Sequence, residues 1–147
     1  MEDTKYLIVL AAAAVCICFF LWACNSKTYT PDNLPSRQLT FGEGGGFTGK
    51  YTTWLLTDSG QIFEKSGLEG RYAEKGRIKK SAAKKFYDRA ESIPPAKMKR
   101  NEPGNYNYTL ARQRDSTELV ATWSNEAQID STIVNLYKEL RSAAKGF

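Results

Sequence analysis

Residues 44–65 read "GGGFTGKYTTWLLTDSGQIFEK", and whether Lys50 opens a helix or a strand decides the fold. Gly44, four further residues and then Gly49-Lys50 match a P-loop up to its last position, where Tyr51 replaces the usual Ser or Thr. A P-loop needs a helix after its glycines, so that backbone N–H groups cradle phosphate while the Lys and the hydroxyl reach the terminal phosphates and magnesium. Residues 50–57, "KYTTWLLT", are instead aromatic and β-branched, which predicts a strand. Asp58-Ser59-Gly60 is a turn, and residues 61–65, "QIFEK", return as the second arm of an antiparallel hairpin. The overlapping G-x-G-x-x-G at Gly44, Gly46 and Gly49 fails as a dinucleotide fingerprint for the same reason. No nucleotide is expected here.

The glycines then read as a loop entering the strand, with Phe41 and Phe47 tucked into the core on either side. A functional alternative is that their exposed N–H groups hold an anion or a peptide terminus. Gly44, Gly45, Gly46, Gly49, Lys50 and Trp54 are the candidate binding residues.

Downstream the pattern recurs. Residues 79–92 predict a helix whose apolar side is Ala82, Ala83, Phe86, Ala90 and Ile93, stopped by Pro94-Pro95. Residues 106–112, "YNYTLAR", and 118–123, "ELVATW", predict a second hairpin about Arg114-Asp115-Ser116. A last helix is expected from the N-cap Asp130, with Ile129 and Val134 as a hydrophobic staple, Ile133, Leu136, Tyr137 and Leu140 as its buried stripe, and Gly146 as its stop. The expected fold is α+β in the order ββα-ββα: an antiparallel sheet of four or five strands with two helices packed on one face. Any fifth strand would come from residues 37–41. The strand rings Tyr51, Trp54, Tyr106, Tyr108 and Trp123 fill the core or form a binding patch on the uncovered face.

The first 23 residues do not belong to that domain. Residues 6–22, "YLIVLAAAAVCICFFLW", carry no charge, as in the core of an export signal or a short membrane span. Leu21-Trp22-Ala23-Cys24 resembles the lipobox of bacterial lipoproteins, although Trp22 is bulky and Glu2 and Asp3 dilute the positive start. That resemblance implies lipidation of the Cys24 sulfur, cleavage before it and an acylated new terminus. Cys16 and Cys18 would leave with the leader, so the mature chain would retain one Cys and no internal disulfide. The alternative is an uncleaved anchor, residues 1–23 spanning the membrane. Residues 24–39 are expected to be a flexible tether and 40–147 a single domain.

Losing residues 1–23 removes Lys5, Glu2 and Asp3 and raises the formal charge from +5 to +6. Outside the cytoplasm such a surface meets anionic headgroups, wall polymer or an acidic protein, not nucleic acid. The basic segment Lys75, Arg77, Lys79, Lys80, Lys84, Lys85 and Arg89 reads either as such a contact or as the wet side of a helix. The chain has no His, which removes Ser-His and Cys-His nucleophile systems and most zinc sites. No cofactor, metal or catalytic residue is assigned. A non-enzymatic binding module is expected, the alternative being a small exported enzyme built on a carboxylate pair.

The runs "FGEGGGFTGKYTTWLLTDSGQIF" and "PGNYNYTLARQRDSTELVATW", with a Lys-rich helix between them, resemble a group of small uncharacterised lipoproteins of Bacteroidota carrying a glycine-rich F-G-x-G-G-G-F-x-G stretch. The resemblance covers about residues 41–140. It implies a fold and an address in the cell envelope, with the domain facing the periplasm because the first acid after Cys24 is as late as Asp32. It implies no activity.

Overall fold

The centre of the sheet is the glycine-bearing strand itself. A computed structural model describes residues 27–47 and 49–147, and in it β1 (Arg37–Gly45) pairs antiparallel with β2 (Lys50–Thr57) on one side and with β6 (Tyr106–Arg114) on the other. Next to β2 come β3 (Gln61–Ser66) and the edge strand β4 (Ala73–Arg77). Next to β6 come β7 (Thr117–Trp123) and β5 (Asn101–Glu102). The order is β4-β3-β2-β1-β6-β7-β5, antiparallel except for β5 beside β7, so the sheet is mixed.

Among the described residues three helices accompany the sheet in an α+β fold: α1 (Lys80–Ser92), the short α2 (Pro95–Met98) and α3 (Ser131–Lys145), the last preceded by a 3-10 turn at Glu126–Gln128. The two expected hairpins and two main helices are present. Seven strands replace the expected four or five, and the additions are β4, β5 and the full length of β1. Arg37–Leu39, assigned from sequence to the tether, open β1, and Leu39 is fully buried. Pro95 does not only end a helix; it occupies the first turn of α2, where its missing N–H costs nothing.

Cross-strand partners share a face. Leu39 and Phe41 of β1, with their neighbours Leu56, Trp54 and Leu110, meet Ala83, Tyr87 and Ala90 of α1 and Leu136, Tyr137 and Leu140 of α3 in one continuous core. Both long helices therefore lie on the same side. Tyr87, outside the apolar side expected for this helix, is buried there and donates its hydroxyl to Leu56 O (2.6 Å) and Arg37 O (3.2 Å). α3 starts as expected: Asp130 Oδ1 accepts from Thr132 N–H (2.9 Å), and Ile129 and Val134 are both buried.

The opposite face is mostly amide and hydroxyl, with Gln38, Thr40, Thr53, Thr109 and Gln113 half-buried. Its apolar patch, Leu55 beside Phe63, is buried. The chain before β1 is fastened on this side. Tyr29 N–H donates to Gln61 Oε1 (2.7 Å), Gln61 Nε2 donates back to Tyr29 O (3.1 Å), and the Tyr29 hydroxyl donates to Asp58 (2.9 Å).

The sheet thus has two distinct ends. At one end the incoming segment meets the β2–β3 turn, Ile78 N–H bonds Gly60 O, and Asp115 N–H bonds Ser36 O. At the other are the β1–β2 turn, the chain after β3 and the approach to β6, tied by Gly67 N–H to Tyr51 O (2.8 Å) and Gly46 N–H to Asn105 O (2.5 Å). Nine residues of β1 separate the ends by about 27 Å at the usual strand rise.

Candidate functional site

The second of these ends is the candidate site. Gly45, Gly46 and Gly49 all have positive φ (112°, 68° and 59°), which lets the β1–β2 connection reverse within four residues. Phe47 stands at the apex, fully exposed. Leu68, 73% exposed, follows β3 at the same end, and Tyr106, 42% exposed, opens β6 against the turn, with its ring 3.8 Å from where a Gly46 Cβ would lie. Three of the five exposed large apolar side chains among the described residues lie at this end of the sheet. Fully burying a Phe is worth about 1.5–3 kcal/mol, which the isolated chain forgoes here.

Several sequence expectations are corrected here. Only part of the glycine run is a loop entering a strand: Gly46 and Gly49 lie in the turn that leads into β2, whereas Gly44 and Gly45 belong to β1. Phe41 is buried as expected, but Phe47 points into solvent. Lys50 opens β2, so no helix N-terminus follows and no P-loop cradle forms. The N–H groups of Gly46 and Gly49 are already spent on Asn105 O and Gly46 O, which removes two of the donors that an anion or peptide terminus would have used.

Trp54 is not a surface residue. It is 2% exposed, stacks on Phe41 with ring centroids 5.8 Å apart, and donates Nε1–H to Glu64 Oε2 (2.9 Å). The aromatic patch expected on the uncovered face does not form, because, of the five strand rings, Trp54, Tyr106, Tyr108 and Trp123 share the helix-covered face and Tyr51 alone, half-buried, is on the other. Cys24 lies outside the described residues.

Behind the tip sits a charged hub that sequence spacing did not reveal. Glu43 of β1 accepts from the Tyr137 hydroxyl (3.1 Å), Arg141 Nη2 (2.8 Å) and Lys145 Nζ (3.1 Å), all from α3. Arg141 Nε, buried, lies 2.8 Å from Oε2 as an ion-pair contact without hydrogen-bond alignment. Burial pushes the Glu43 carboxyl up, but Arg141 and Lys145 outweigh it and hold the group below its ordinary range. Burial and the Glu43 charge push the Tyr137 hydroxyl well up, so it stays a donor.

Glu43 and Glu64 line one hollow of about 280 Å³ with Lys75, Lys145 and Phe147. Glu64 is 3.6 Å from Lys75. Two carboxylates thus share a cleft, each faced by a cation, and Glu43, ionised at neutral pH, serves as the pivot of ion pairs that pins α3 to β1, not as a proton donor. A larger hollow of about 650 Å³ lies near the other end. Its Glu91 is clamped by Arg37 (2.7 Å) and its Arg112 donates to the carbonyl of Ala90, so these polar groups are already engaged.

Among the described residues no cluster of His, Cys, Asp or Glu is placed to hold a metal ion, and no helix is long and apolar enough to cross a membrane. Compared with known families and curated proteins, the chain matches no family model and no curated sequence.

Proposed function

We propose that the protein is an envelope lipoprotein, anchored through Cys24, whose domain is a non-enzymatic binding module that presents its glycine-turn tip to another envelope protein or a wall component in the periplasm. The observation that carries this reading is the position of Phe47: a fully exposed ring on a turn at the end of the sheet away from Tyr29, where the chain from the leader arrives. A tether at one end and an apolar tip at the other is the arrangement a membrane-held receptor needs. Leu68 and Tyr106 widen the tip, and Lys50 and Asn105 give it a polar rim, which suits a protein partner with an apolar pocket and polar margins.

The glycines have a defined role in this reading. They let the hairpin turn tightly enough to hold Phe47 clear of the sheet. The alternative, an exported enzyme using paired carboxylates, would centre on Glu43 and Glu64, and the low pKa of Glu43 weighs against an acid there.

The test replaces Phe47 with Ser in the full chain and, separately, with a photo-crosslinking residue. Because Phe47 makes no buried contact, Phe47→Ser should leave the melting temperature unchanged, equivalent to less than about 0.5 kcal/mol. Crosslinking from position 47 in intact cells should capture a discrete partner whose co-purification is lost with Phe47→Ser. Unchanged recovery of that partner from Phe47→Ser would refute the tip as the binding site.

A further inference from the structure

We infer that the corner of the domain where the tether enters is a second contact surface, a basic foot that rests on anionic lipid headgroups and stands the domain upright. This rests on the membrane-anchored reading above and adds to it the orientation of the body.

The inference starts from the fastening of the tether. Among the described residues, Thr28 and Tyr29 are the first bonded to the domain, Thr28 through Arg77 Nη2 (3.5 Å) and Tyr29 through Gln61 and Asp58. Four residue steps separate Cys24 from Thr28, so the corner can stand no further than about 14 Å from a lipid held at Cys24, even with the link fully extended. The charge on that corner is predominantly positive. Lys27 lies just before the bonded pair. Arg77 is the last residue of β4, and Lys79 and Lys80 follow Ile78, whose N–H is bonded to Gly60 next to Gln61. Lys27, Lys79 and Lys80 are exposed. The nearby acids are Asp58, already an acceptor for the Tyr29 hydroxyl, and the exposed Asp32.

Further along α1 the pattern changes: Lys84 is paired with Asp88 (2.6 Å) and Arg89 with Glu139. Lys27, Lys79 and Lys80 therefore form a group of exposed cations where the leash holds them near the bilayer. Screening length is about 8 Å in physiological salt, and each cation near an anionic surface gains on the order of a fivefold preference for it. The lipid at Cys24 holds the chain at the membrane, and the basic patch sets how the body sits on it. With the foot down, β1 rises away from the membrane and carries Phe47 to the far end.

The test uses the full-length protein, purified from membranes and reconstituted into vesicles of phosphatidylcholine alone or of equimolar phosphatidylglycerol and phosphatidylcholine. Lysine acylation rates are read residue by residue by mass spectrometry. Lys27, Lys79 and Lys80 should react about fivefold more slowly on the anionic vesicles, with the protection lost in high salt, whereas Lys50 at the tip and Lys99 near the far edge should not change. Equal rates at Lys27, Lys79 and Lys80 on both vesicles, with the protein floating with both, would overturn the foot and leave the anchor standing. Failure to float with either would overturn the anchor and this inference with it. Protection on both vesicle types alike would also overturn it, since contact would then owe nothing to lipid charge.

Discussion

Trp123→Ala should destabilise the domain by about 4 kcal/mol, lowering the thermal midpoint by roughly 15 °C. Trp123 ends β7 and is 1% exposed. Its ring stacks on Tyr108 at 5.9 Å and meets Tyr137 of α3 edge-on at 5.3 Å, and Tyr108 and Tyr137 touch each other at 5.6 Å. Removing the indole leaves a cavity that two rings, each tied to a different element, cannot both collapse into. It also loosens the wall against which Tyr137 holds its hydroxyl to Glu43. Urea melts followed by far-UV circular dichroism measure the change, and a loss under about 1 kcal/mol would mean that the three rings do not form the joint described here.

The second large effect is expected at Gly44. A Cβ there would lie 2.5 Å from Lys50 O and 2.6 Å from Tyr51 Cα, both backbone atoms of β2, so a side chain must push apart the central pair of the sheet. Gly44→Val should cost about 3 kcal/mol, at the upper end of what overpacking usually does. Gly49 is the control. It has positive φ but nothing within 4 Å, so Gly49→Ala carries only the conformational penalty of about 1 kcal/mol. Equal losses from the two substitutions would show that turn conformation, and not the close approach of β2, explains the glycines.

These glycines also show where sequence reading succeeded and failed. Local signals were legible. Alternation and turn residues marked β2, β3, β6 and β7, and Asp130 with Ile129 and Val134 marked the start of α3. The central strand was hidden because glycine is depleted in strands generally, while Gly42 and Gly44 are there so that β2 can approach closely. β4, "AEKGR", is an exposed edge strand, and its charges are what an edge carries to avoid further pairing. β5 is two residues long and paired in parallel, too short to carry any period.

Which face each ring occupies was equally out of reach. Trp54 and Leu55 are adjacent, point to opposite faces and are both buried, so alternation could not say which of them met the helices. Glu43 illustrates the same limit for the site: its three partners lie more than ninety residues away and converge on it only once α3 crosses the sheet. Sequence alone places Phe47 inward, because an apolar ring is ordinarily buried. Its exposure is what makes it a candidate for binding.

The account depends most on the domain being held at its N-terminal side. Intact mass measurement of the protein from a fractionated native host tests this directly. The account predicts a membrane-bound chain that begins at Cys24 and carries the added mass of lipid. A soluble cytosolic chain retaining residues 1–23 without any added mass would contradict it.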